Sequence, residues 1–241
     1  MKEEYLHRLI VQVGGMRDES NINAVAELGI DMIGFDFYEK SPRYVTQILS
    51  RAGIIPDYSK ERLSQLVRDS QQKRHTRMPK RVGVFVDDMP QTIVTRIYNF
   101  NLDFVQLNGD ETPVMIENLK RTLIPDIAPN IRIIKTLPVK CVENLKATEQ
   151  FEGLVDYFLF DLNGVGEGAD NMQFAQSLLD SYRGNVPFLL SGGIGPDDTE
   201  RIKNFNQPMF AGVEVNSSFE IAPGLKDVGK LKQFVDALRK G

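Results

Sequence analysis

Apolar residues recur along this chain in short, nearly unbroken runs separated by stretches with helical spacing. "RLIVQV" (8–13), "DMIGFDF" (31–37), "RVGVFVD" (81–87), "DFVQLN" (103–108), "IRIIKTL" (131–137), "YFLFD" (157–161), "PFLLSGG" (187–193) and "FAGVEV" (210–215) read as strands. Continuous apolarity, rather than alternation, is what a strand needs when both its faces are buried. Helices are predicted between them at 18–29, 58–72, 89–100, 111–123, 141–150, 172–182, 196–205 and 226–239. Asp18 stands where an N-cap belongs and Gly29 where a helix stops. Leu63, Leu66 and Val67 share one face of the second helix.

Strict alternation means a parallel sheet, and eight strand–helix units in 241 residues predict an α/β fold of one kind, a single (β/α)8 TIM barrel spanning residues 1–241 as one domain. A doubly wound open sheet is the alternative. It usually shows a glycine-rich dinucleotide fingerprint after its first strand, which "GGMRDE" does not match. Two segments exceed the plan. An extended segment at about 46–80 joins strands two and three and ends in the basic "QQKRHTRMPKR" (71–81), which reads as a solvated loop. "LNGVGEGADN" (162–171) holds three glycines and reads as a mobile loop over the site.

Composition narrows the function classes. Apolar residues at 41% and charged residues at 26% suit a globular chain with a substantial core. A net charge of −4 argues against non-specific nucleic-acid binding. The lone cysteine, Cys141, cannot form an internal disulfide, which fits a reducing compartment. "MKEEYLHRLI" has no signal-peptide core, and no apolar run approaches the roughly 20 residues that span a bilayer. A cytoplasmic protein without a membrane partner is expected, and a monomer is the default. His7 precedes the first strand and His75 lies in the basic linker, so neither is placed for a metal site or a Ser-His-Asp triad.

In a barrel, chemistry sits where strands end and the following loops begin. That singles out Gly14, Asp36 to Arg43, Asp87, Asn108, Thr136, Asp161, Ser191 to Gly193, and Glu214 to Ser218. Asp161 closes an apolar strand, where a carboxylate can be a general acid or can cap local loop amides. "LSGGIGPDD" (190–198) and "GVEVNSS" (212–218) follow strands seven and eight, the usual phosphate site of this fold. Two ordinary strand-to-helix turns would look the same. Arg43, in "FYEKSPRYV" (37–45), has the planar fork that suits a substrate carboxylate, unless Pro42 merely stiffens a surface loop.

"GMRD", "GFDFYEKSPRYV", "RVGVFVD", "DFVQLNGDE", "IIKTL", "YFLFD", "FLLSGGIGPDD" and "NSSFEIAPGLKD", in this order, resemble the phosphoribosylanthranilate isomerase family of tryptophan biosynthesis. The resemblance implies a cofactor-free Amadori rearrangement of a phosphorylated ribosylamine. An aspartate protonates the furanose oxygen, and a cysteine base removes the proton from the adjacent sugar carbon. Carried over, Asp161 is the acid, and Arg43 and Gln106 face the substrate. Ser191, Gly192, Gly193, Asn216, Ser217 and Ser218 hold its phosphate, and no metal is implied.

The family pattern Lys-x-Cys-Gly is here Gln12-Val13-Gly14-Gly15, so Gly14 occupies the position of the cysteine base. Asn108 replaces a histidine, Glu214 replaces an aspartate, and Asp36 is a carboxylate at a normally apolar position. Three readings stay open: an isomerase whose base has moved, with Asp36 as the candidate; a non-catalytic protein binding a phosphorylated small molecule; and a barrel enzyme with another phosphorylated substrate.

Overall fold

Eight strands pair in parallel, in chain order: β1 (Ile10–Val13), β2 (Met32–Asp36), β3 (Lys80–Phe85), β4 (Phe104–Leu107), β5 (Arg132–Pro138), β6 (Tyr157–Asp161), β7 (Phe188–Ser191) and β8 (Phe210–Val215). β8 returns to β1 in the register Ile10↔Gly212 through Val13↔Val215, which closes the barrel. The predicted TIM barrel is the observed fold. This computed structural model describes residues 8–46, 78–124, 126–163 and 169–240. The expected helix at 58–72, both histidines, most of the basic linker and the centre of the 162–171 loop lie outside the described residues.

Around the barrel run α1 (Glu19–Ala26), α2 (Pro90–Phe100), α3 (Pro113–Leu123), α4 (Ala169–Leu179), α5 (Thr199–Lys203) and α6 (Val228–Arg239). Asp18 caps α1 by accepting the Asn21 amide at 2.8 Å, as its position in the sequence suggested. Two expected helices differ in form. The 141–150 segment is a 3-10 helix, Val142–Phe151, whose buried Leu145, Thr148 and Phe151 recur every third residue, the period of that tighter helix. The 196–205 segment is a 3-10 turn, Pro196–Asp198, running into the short α5. After β8 the chain adds a small antiparallel hairpin, β9 (Glu220–Ala222) with β10 (Leu225–Lys226).

Period-two geometry sorts each strand into two faces. Outward residues such as Val13, Phe35, Phe85, Leu107, Phe160 and Leu190 pack with the helices in the larger core. Inward residues Met32, Val82, Phe104, Ile134, Leu159 and Leu189 form a separate apolar plug, with Ile10 and Ala211 against it. Two residues further along β1 to β7 stand Gln12, Gly34, Val84, Gln106, Thr136, Asp161 and Ser191. The lumen therefore changes from apolar to polar one layer below its C-terminal mouth, and that layer is the floor of the candidate site.

Candidate active site

The floor is tied by side chains that cross the lumen. Gln12 on β1 donates through Nε2 to Gln106 Oε1 on β4 at 2.6 Å. These strands are not neighbours in the barrel, so the bond can form only inside it. Gln106 Nε2 in turn donates to Asn108 Oδ1 at 3.1 Å and to Glu214 Oε2 at 3.4 Å, and Thr136 Oγ1 donates to Asn108 Oδ1 at 2.5 Å. Gln12 and Gln106 are almost wholly buried. Gln106, expected at the substrate, thus has both ends of its amide engaged in the floor.

Glu214 is a second carboxylate in this layer, beside Asp161. Its backbone pairs with Gln12 where β8 meets β1. Surrounding protein pushes its carboxyl up to about 7, and the Asp161 charge adds to the push; hydrogen bonds from Gln106 and Gln12 and the Lys226 charge oppose it. The residue as a whole is nevertheless half-buried rather than sealed.

Gly14 adjoins that carboxylate. It is buried, donates its amide to Val215 O at 3.0 Å, and has an ordinary backbone conformation. A Cβ added there would overlap Glu214 Oε1 and stand 3.4 Å from Asn216 Nδ2. Gly15 is different: its φ of 66° favours glycine, and a Cβ would collide with Arg43 Cδ and lie 2.8 Å from Asn216 Oδ1. The two glycines have separate physical reasons.

Asp161 ends β6 with its Oδ1 accepting the Asn163 amide at 3.0 Å. Gly192 gives that oxygen room, since a Cβ there would come 2.7 Å from it and 2.6 Å from Asn163 N. Ser191 pairs with Asp161 across β6 and β7, and Gly192 and Gly193 both take left-handed φ values, 90° and 71°. After β8, Asn216, Ser217 and Ser218 enter a 3-10 turn, Ser217–Phe219. The expected phosphate loops are thus adjacent at one end of the barrel.

Arg43 lies across the mouth with its fork on Glu220, Nε to Oε1 at 2.9 Å and Nη2 to Oε2 at 2.6 Å. Glu220 also takes Lys226 Nζ at 2.6 Å and the Gly224 amide at 3.0 Å. Burial opposes its ionisation, yet the bonds from Arg43 and Lys226 hold it down to about 2. Lys226 Nζ also donates to Asn216 Oδ1 at 2.6 Å, so the cluster links the β2 loop to the β8 loop. Glu220 and Lys226 were not singled out in the sequence. The only hint was the "APG" turn, which folds Lys226 back toward β8. Asp36 is at the mouth end of β2, where its Oδ1 accepts the Tyr38 amide at 3.0 Å and its charge reaches Arg43. Cys141 is exposed at the start of the 3-10 helix after β5. Among the described residues no three His, Cys, Asp or Glu side chains converge as a metal site, and no helix is long and apolar enough to cross a membrane.

The family model for N-(5'phosphoribosyl)anthranilate (PRA) isomerase matches residues 46–237. A Parabacteroides distasonis protein named N-(5'-phosphoribosyl)anthranilate isomerase is 40% identical over 230 residues, covering 95% of this chain and 93% of that protein. The chain belongs to the N-(5'-phosphoribosyl)anthranilate isomerase family. The family match begins beyond β2, so Gly14 and Asp36 precede it, while the Parabacteroides relative aligns with nearly the whole chain. The Thermotoga maritima phosphoribosyl anthranilate isomerase structure superposes with a TM-score of 0.67 at 26% identity, covering 96% of this chain and 98% of that one. A further phosphoribosyl anthranilate isomerase structure, at 24% identity and a TM-score of 0.65, has the same fold over 96% of this chain and 98% of its own; it was solved with reduced 1-(o-carboxyphenylamino)-1-deoxyribulose 5-phosphate.

Proposed function

We propose that this chain isomerises N-(5'-phosphoribosyl)anthranilate to the carboxyphenylamino-deoxyribulose phosphate, acting as a cytoplasmic monomer without a cofactor. The observation that carries the reading is the meeting of three things at one barrel mouth. An aspartate closes β6, glycine and asparagine loops follow β7 and β8, and a polar floor lies beneath them. The phosphorylated ligand of the related structure supports a phosphate grip at Ser191 to Gly193 and Asn216 to Ser218. Backbone amides at such glycine turns suit an anion. Arg43 uses two donors on Glu220, and a guanidinium has five, which leaves an edge for the anthranilate carboxylate. Asp161 acts as the acid at the furanose oxygen.

Gly14 favours a second reading, a protein that binds the phosphorylated ligand without turning it over, because glycine has no group to accept a proton. The deciding experiment incubates the purified full chain with N-(5'-phosphoribosyl)anthranilate and separates substrate from product by chromatography. Enzyme-dependent conversion is expected, as is growth of a tryptophan auxotroph lacking the isomerase. Saturable product binding by a folded chain with no conversion would overturn the isomerase reading in favour of the second.

A further inference from the structure

The proposed reaction needs two proton-handling groups at one mouth, and position 14 supplies none. What occupies the space there is a carboxylate. A Cβ on Gly14 would overlap Glu214 Oε1, and the Glu214 Cδ would lie 3.4 Å from it. The side chain of Glu214 therefore reaches from β8 into the volume that a residue at the end of β1 would otherwise fill. A long side chain from the neighbouring strand fills the space beside Gly14.

We propose that Glu214 is the catalytic base of this protein, taking the proton from C2 of the sugar; this rests on the isomerase reading above. Three further features of the site agree with that role. The carboxylate is held by amides rather than tied up by a cation: Gln106 Nε2 stands 3.4 Å from Oε2, and Gln106 is itself fixed by Gln12 at 2.6 Å. Lys226, the cation whose charge reaches it, has its ammonium on Glu220 and Asn216. The charged groups that face Glu214 are Asp161 from β6 and Lys226 from β10, and burial above all raises its proton affinity toward that of neutral water, where a general base is most effective. Glu214 is also half-buried rather than sealed in the core.

The step balances as follows. Asp161 gives its proton to the furanose oxygen as the C1–O bond breaks, the bond pair staying on oxygen while the nitrogen lone pair forms C1=N. Glu214 takes H2 as a proton. The C2–H pair becomes C1=C2, and the C=N π pair returns to nitrogen, giving a neutral enolamine. Glu214 is now the neutral acid and Asp161 the anion. Tautomerisation moves the enol proton to C1 and leaves the ketone. Exchange with water returns one proton to Asp161 and removes one from Glu214, with no oxidant or reductant.

The test uses the full chain with Glu214→Gln, Glu214→Asp and Glu214→Ala. Glu214→Gln is expected to lower kcat by about 10²–10⁴-fold, with product affinity changed no more than a few-fold. The kcat/KM limb expected near pH 7, set by the Glu214 carboxyl, disappears in Glu214→Gln and persists in Glu214→Asp. Added formate restores part of the turnover of Glu214→Ala, which a purely structural role would not allow. Wild-type turnover that survives Glu214→Gln with its pH limb intact overturns the role of Glu214 and leaves the isomerase reading standing. Turnover abolished instead by Asp36→Asn transfers the role to Asp36. A wild type that binds product but never turns over overturns both.

Discussion

Arg43 and Glu220 meet through two hydrogen bonds, 2.9 Å and 2.6 Å long, which join the loop after β2 to the hairpin after β8. The pair is mostly sheltered, with side-chain exposures of 20% and 6%. Glu220 is held at about 2 against an ordinary 4.5. A depressed carboxyl stabilises the fold above pH 4.5, and that contribution fades as the pH falls toward 2. Arg43→Ala should therefore cost about 1–3 kcal/mol at pH 7 and clearly less at pH 3. Urea unfolding at the two pH values measures the difference. Equal losses would assign the effect to packing of the arginine stem.

Gly15→Ala tests the turn that brings this pair close to β1. The φ of 66° disfavours any L side chain, and the new Cβ would meet the Arg43 stem and sit 2.8 Å from Asn216 Oδ1. A left-handed residue costs about 1–2 kcal/mol before any collision is counted. A clear fall in melting temperature is expected, along with a higher KM because Arg43 must shift. An alanine variant melting with the wild type would mean that the turn relaxes freely.

Much of this was legible in the sequence. The near-continuous apolar runs located the eight strands, and an aspartate closing "YFLF" and glycines closing "FLLS" could be placed at the mouth from the fold alone. The position of Gly14 was equally plain. Its neighbour was not, because Glu214 reaches that space only through the register Gln12↔Glu214, formed between two ends of the chain when the barrel closes. No local pattern encodes a partner about two hundred residues away. Arg43 illustrates the same limit: its fork was legible, but its partner Glu220 is brought over by the turn at Phe219 and the hairpin behind it. The helix at 141–150 was expected, but its 3-10 form was not legible, since buried residues every third position satisfy a short α-helical reading too.

Glu214 should affect stability in the opposite sense to Glu220. Its carboxyl is pushed up to about 7 from 4.5, so the folded state prefers the neutral form. The favourable contribution is complete below pH 4.5 and is lost as the pH rises through 7. Glu214→Gln cannot titrate. It should gain on the wild type by on the order of 2 kcal/mol between pH 5 and pH 8. Denaturant melts at the two pH values give the quantity directly. A pH-independent difference would mean that the Glu214 carboxyl ionises as it does in water.

The steric coupling between Gly14 and Glu214 can be measured apart from catalysis. Gly14 has no left-handed φ, so its backbone accepts a side chain, and the overlap is with Glu214 Oε1 alone; Asn216 Nδ2 at 3.4 Å is an ordinary contact. Gly14→Ala should cost about 1–3 kcal/mol in the wild type, as overpacking does, toward the lower end because a carboxylate tip can swing. In a Glu214→Ala background the same substitution should cost much less, giving a coupling of about 1 kcal/mol or more in a double-mutant cycle. Additive effects would show that the carboxylate does not fill that space in solution. The cycle also prepares a gain of function. With Glu214 shortened, Gly14→Cys puts a thiol into the vacated volume, from just after β1 instead of from β8. If the lumen at that point is where the proton leaves the sugar, the double variant should turn over faster than Glu214→Ala alone. Its pH limb should then follow a thiol, near pH 8.5 when unperturbed, instead of a carboxyl near 7.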